Sequence, residues 1–148
     1  LNEVLTLHQG IRQMSRNKIL PRVRLQNHKL DTIISNNIFK NPTVIYFWSQ
    51  TQMNHFRNTI QKVKKLELEF PNYDFIGISI QPYNEIVDQV HRMMQIDQSK
   101  QYAFLNFENA SKKWVLRLLN KAIIVNKNGV IIDGFANFSS SNFSKELR

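Results

Sequence analysis

The sequence predicts an α/β fold with a mixed central β-sheet, helices on both of its faces and an amino-terminal β-hairpin. Three observations carry that prediction. Thr43-Val44-Ile45-Tyr46-Phe47-Trp48 is an uncharged run of β-branched and aromatic residues without polar alternation, which marks a central strand covered on both sides. A helical stripe and a second apolar strand follow it, making a strand–helix–strand unit of parallel strands. Near the carboxyl end, two apolar runs at 122–125 and 130–133 flank Asn126-Lys127-Asn128-Gly129. Asn-Gly supplies the residues that tolerate positive φ in a hairpin turn.

The elements follow in order. Residues 2–18 read as a helix, with Val4, Leu5, Leu7, Ile11, Met14 and Ile19 on its stripe, Gly10 as a weak point and Pro21 ending it. Residues 1–19 are assigned to an amino-terminal helix or linker, and residues 20–148 to the domain proper. Two extended pieces, at 20–26 and 29–35, meet at Asn27-His28. Arg22 and Arg24 alternate with Val23 and Leu25, so this strand is half-buried with a wet polar face. After the strand at 43–48, Met53, Phe56, Ile60, Val63 and Leu66 recur at helical steps across 51–69, and Pro71 stops that helix. A second core strand covers 73–80. A helix is expected at 83–94, with Ile86, Val90, Met93 and Met94 as its apolar side, where the methionines read as core filling. Residues 95–108 read as irregular or extended, with Tyr102, Phe104 and Phe107 tucked inward. A helix at 109–119 is expected to bury Trp114, Val115, Leu118 and Leu119, with Asn106 or Asn109 as its cap. A short helix is expected from 141 to 148.

Composition bounds the function. The chain of 148 residues makes one ordinary domain, and 42% apolar residues can supply a core. With no Cys, disulfides, thiolate metal sites and a cysteine nucleophile are excluded. No apolar run is long enough for a membrane-spanning helix. Twenty basic residues against 11 acidic ones give a net charge of +9. Such a balance suits a polyanion or an anionic surface, but no Lys/Arg-rich run of the nucleic-acid type occurs, so nucleic acid is not the expected partner. The densest basic groups (Arg22 and Arg24; Lys62, Lys64 and Lys65; Lys112, Lys113 and Arg117) lie far apart in the chain. The first residue is Leu, and the expectation is a processed chain whose targeting segment or membrane anchor lies upstream.

Three segments, in order, resemble the TlpA-like branch of the thioredoxin-like domains. Phe47-Trp48-Ser49-Gln50-Thr51-Gln52-Met53-Asn54-His55 is similar to the family's strand-to-helix turn, where an aromatic–Trp pair leads into Cys-x-x-Cys at the helix start. The segment from Lys121 to Ile131 resembles the later strand pair, which a Pro-Thr dipeptide precedes. Leu20-Pro21 through Ile34 fits the amino-terminal hairpin. The resemblance spans residues 20–148 and implies a thioredoxin-like fold. Gln52 and His55 then stand where the cysteines would be, and Lys121 takes the place of the cis-proline. A cis bond before a non-proline residue costs ~3–4 kcal/mol, so a trans peptide is expected there. Thiol exchange needs a low-pKa thiolate and a resolving thiol, which neither Gln nor His provides.

The expected function is therefore a redox-inactive binding or scaffold domain, with no catalytic residue and no cofactor. Gln52, Met53, Asn54, His55 and Lys121 form its vestigial redox site. A binding groove for a protein or peptide partner is expected beside Trp48, Thr51 and Ala122, while Tyr46 packs in the core. The resemblance implies a periplasmic or envelope-associated, membrane-anchored protein. Two alternatives stand beside it. One is an anion site or non-thiol enzyme reusing Gln52, His55 and Lys121, with His55 as base at a helix amino terminus. In the bland version of that site, His55 only fills the space of a half-buried sulfur and bonds a backbone carbonyl. The other is a basic polyanion-binding module. No metal is expected, since His8, His28, His55 and His91 share no ligand spacing. Ser139, Ser140 and Ser141 lack a nucleophile motif.

Overall fold

The computed structural model describes residues 2–148. Helix α1 (Asn2–Gln13) precedes a hairpin of β1 (Arg24–Gln26) and β2 (Thr32–Ile34). Then come β3 (Thr43–Trp48), α2 (Met53–Glu69), β4 (Asp74–Ser79), α3 (Glu85–Met93), β5 (Gln101–Phe104), α4 (Phe107–Lys113), β6 (Lys121–Val125) and β7 (Ile131–Asn137). A 3-10 turn at Phe143–Leu147 closes the chain. One seven-stranded sheet has the order β2-β1-β5-β4-β3-β6-β7. The pairs β3–β4 and β4–β5 are parallel and the rest antiparallel, so the expected mixed sheet is present.

Strand β3 sits where its composition places it. All six of its residues are buried, and it pairs with β4 on one side and β6 on the other. Its alternating side chains feed two apolar layers. Val44, Tyr46 and Trp48 pack with Phe56, Ile60, Val63 and Leu66 of α2 and with Val87 and Val90 of α3. Ile45 and Phe47 pack on the other face with Phe104, Ala110, Trp114 and Met14. Each Val, Leu, Ile, Phe or Met among them, fully buried, contributes about 1.5–3 kcal/mol of transfer free energy. The α2 stripe is the one its spacing predicts.

Several boundaries differ from the sequence reading. Helix α1 stops at Gln13 rather than 18, and Val4, Leu5 and Ile11 are exposed. It docks through Leu7, Gly10 and Met14, where a Cβ on Gly10 would lie 3.0 Å from the Lys112 carbonyl. The chain beyond it is fastened to the first residue of β7 and the turn before it. Asn17 N donates to Ile131 O at 2.9 Å, Ile131 N to Lys18 O at 2.8 Å and Leu20 N to Gly129 O at 2.9 Å. The stretch assigned to a helix or linker is thereby tied to the sheet. Residues 101–104, expected only as irregular or extended, form β5 between β1 and β4. Met93, expected on the apolar side of α3, is exposed. Asn106 caps α4 by accepting a bond from Asn109 N at 3.0 Å, as its position suggests. That helix nonetheless ends at Lys113, because Val115 takes φ +54°. The turn before β7 has Gly129 at φ +76°, where a side chain would be strained.

Candidate functional site

The loop from β3 to α2 is held by a small polar network. Ser49, almost fully buried, has its Oγ 2.8 Å from Thr51 Oγ1 and accepts from Thr51 N at 3.2 Å and Gln81 Nε2 at 2.7 Å. Gln81 Oε1 accepts from Gln50 N at 3.1 Å, tying this loop to the chain after β4. Gln52 N donates to Ser49 O at 3.1 Å, and Gln52 is the amino-terminal cap position of α2, without a side-chain capping bond. Gln52 and Asn54 are exposed, and Met53 and His55 are half-buried. Gln52 and His55 thus sit three residues apart across the first turn, the spacing at which two side chains share a helix face.

His55 differs from its expected environment. Its Nδ1 is buried with no hydrogen-bond partner, rather than bonded to a backbone carbonyl. Burial holds the imidazole below its usual pKa, so the ring is neutral near pH 7.

Lys121 does not join this pair. Register with β3 places its backbone beside the end of that strand, since Tyr46 opposes Ala122. The side chain goes elsewhere. Its Nζ donates to Trp114 O at 2.6 Å and Val115 O at 3.0 Å and lies 4.4 Å from the centre of the Phe135 ring. Burial lowers its pKa to about 8, partly offset by Asp133. Lys121 therefore braces the turn after α4, where Val115 has left-handed backbone. All described peptide bonds are trans, including the one before Lys121.

Of the expected groove residues, only Thr51 is exposed. Trp48 has no solvent-facing surface; it stacks on Phe56, ring centroids 4.1 Å apart, and meets His91 edge-on at 5.5 Å. Ala122 is also fully buried. Inward alternation on a central strand removes both from any groove. Tyr46 is buried as expected, its hydroxyl oxygen accepting a hydrogen bond from Gln101 Nε2 at 2.8 Å.

An open concavity lies nearby instead. A cavity of about 300 Å³ is lined by Phe47, Ile80 and Phe107, by Leu116, Leu118 and Leu119, and by Gln52 and Arg117 as polar members. Leu118, expected on the buried side of a helix, is 69% exposed. The four residues 116–119 were invisible as a wall because their apolar spacing imitates a continuing helix. Only the left-handed Val115, held through its carbonyl by Lys121, turns them toward Gln52.

This sheet order, with a helix starting just after β3, makes a thioredoxin-like fold, here without redox thiols. No protein-family model matches the chain, and a search of the curated proteins returns no match. Solved structures do match its fold. The thioredoxin domain of a thiol-disulfide oxidoreductase from Bacteroides vulgatus aligns with TM-score 0.66 and 13% identity, over 80% of this chain and 86% of that one. A domain of a possible thiol-disulfide isomerase from Cytophaga hutchinsonii gives TM-score 0.74 at 15% identity, over 90% of each chain. A thiol-disulfide oxidoreductase from Bacteroides fragilis gives TM-score 0.68 at 18% identity, over 88% of this chain and all (100%) of that one. The fold is shared with bacterial oxidoreductase domains. The cysteines their chemistry would need are absent from this sequence.

Proposed function

We propose that this chain is a redox-inactive thioredoxin-like domain that binds an extended protein or peptide segment in the cavity beside Gln52. The observation that carries the reading is the open apolar wall of Leu116, Leu118 and Leu119 next to a helix start that has no thiol. An apolar concavity with a few polar members is the usual form of a recognition site. The anion-site alternative is less well supported, because Lys121 is engaged by two carbonyls and His55 is held neutral. The resemblance to TlpA-like proteins and the fold shared with bacterial oxidoreductase domains support a role in the cell envelope.

The test is a displayed peptide library selected on the folded domain, followed by amide chemical-shift mapping. Selected peptides should shift Gln52, Arg117 and Leu118, and Leu118→Asp should abolish their binding. Peptides that bind equally well to Leu118→Asp, or a selection that enriches none, would overturn the reading.

A further inference from the structure

Two of the basic groups that lie far apart in the sequence come together in the fold. Arg22 and Arg24 alternate along the start of the amino-terminal hairpin, both exposed, while Val23 and Leu25 between and beyond them are buried. Residues two apart on an extended segment point to the same side, about 6–7 Å from each other. Lys113, the last residue of α4, meets them there, its Nζ donating to Arg22 O at 3.1 Å. Between these elements is a cavity of about 500 Å³ lined by Arg22, Arg24 and Lys113 together with Asn106 and Asn109. No acidic residue lines it.

The charges there are uncompensated. Neither guanidinium makes an ion pair or hydrogen bond among the described residues, and the four ion pairs of the described chain all lie elsewhere. Three cations converging without a carboxylate repel one another, and that repulsion is relieved by an anion. Two arginines on one side of an extended segment offer paired N–H donors, the geometry that matches a tetrahedral oxyanion. The Asn109 side-chain amide makes no internal bond and is free to donate as well. Ile34 and Leu105 complete the lining with apolar surface, suited to the organic part of an ester rather than to a bare ion.

We propose that this cavity binds a phosphate group carried on an organic moiety, a site separate from the groove beside Gln52. The phosphate could belong to a soluble ester or to a lipid headgroup, and the test has an arm for each. Glycerol 3-phosphate is titrated into the isotopically labelled domain, and phosphatidylglycerol vesicles are titrated in a parallel sedimentation assay. The expected result is a saturable response to at least one probe. In the soluble arm, amide shifts should centre on Arg24, Asn106, Asn109 and Lys113. Arg22→Gln and Arg24→Gln should each weaken binding by about ten- to a hundredfold, the usual worth of a hydrogen bond to a charged group. Lys40→Gln with Lys127→Gln, which removes twice the charge of either arginine variant, should leave binding unchanged. All of these positions are exposed, and the amide spectrum of each variant verifies its fold. A response only to glycerol 3-phosphate assigns a soluble ester; a response only to vesicles assigns a headgroup. No saturable response to either probe overturns the proposal. So does equal weakening by the lysine pair, which would mean diffuse attraction by net charge.

Discussion

His91 offers a sharp test of the packing. It lies on α3 with no exposed surface, edge-on to Trp48 at 5.5 Å and to Tyr83 at 5.7 Å, and neither ring nitrogen has a hydrogen-bond partner. Burial pushes its pKa from 6.5 down to about 4; Asp88 opposes that shift and His28 adds to it. Between those two values the unfolded chain takes up a proton that the folded chain refuses. Stability is therefore full above about pH 6.5 and is lost as the pH falls toward 4. At about 1.4 kcal/mol per unit the whole loss is about 3 kcal/mol, of which about 2 kcal/mol is gone by about pH 5. His91→Phe keeps both edge contacts and deletes both unpaired nitrogens, so it should not share this loss. The assay is urea unfolding of both proteins at several pH values between about 7.5 and 5, at constant ionic strength. Carboxylates titrate alike in the two proteins and cancel in the difference. The variant should gain on the parent steadily as the pH falls. Overpacking by the larger ring would offset the curves but not change their slopes. A difference that stays flat across that range would refute the reasoning.

Other outcomes follow from the same geometry. Lys121→Met leaves the carbonyls of Trp114 and Val115 without their donor and should cost about 2–3 kcal/mol in denaturant unfolding, while weakening any peptide bound beside Leu118. Gly77→Ala places a methyl 2.6 Å from Gln101 Oε1 and 2.7 Å from the Tyr46 ring, both buried, and should lower stability by about 1–3 kcal/mol through overpacking. The Gln52→Cys, His55→Cys variant should oxidise within one molecule, as mass spectrometry after air exposure would show; two free thiols in folded protein would mean these positions do not reproduce a Cys-x-x-Cys pair. The unaltered chain should show no turnover in an insulin-reduction assay, since it has no sulfur that can cycle.

The sheet centre was legible because local and global preferences agree there. The unalternating run of β3, the stripe of α2 and the Asn-Gly hairpin each state one structure, and the fold adopts it. The region after α3 was not legible in the same way. Strand β5 is four residues long, too short for a period, and its place between β1 and β4 comes from partners distant in the chain. Helix α4 was overextended because Val115, Leu118 and Leu119 continue a helical spacing. What stops it is a left-handed Val, costly for a β-branched residue and sustained by tertiary contacts: Lys121 on the adjacent carbonyls and Trp114 Nε1 donating to Pro21 O at 2.8 Å. The burial of Trp48 has a related cause. A groove is expected beside Trp48 from its position at a strand end, but its parity on β3 sends the side chain into the layer with Phe56. Gln52 and His55 lie at the start of the helix that follows that strand, as its apolar stripe alone indicates, whereas the direction of the Lys121 side chain depends on a turn no local pattern announces.

The strap of residues 17–20 across the start of β7 has a consequence for assembly and handling. β7 is the last strand of the sheet, and an unguarded last strand invites other chains to add to it. Here the guard is made during synthesis long before the strand it protects, so Met14 and Leu20 must wait, uncovered, for the final hairpin to arrive. Retention of the first segment and closure of the last are then a single event. A protease cut between Gln13 and Leu20 would loosen that strap and bare the main-chain donor and acceptor of Ile131 at the start of β7, lengthening the edge open to other copies of the chain.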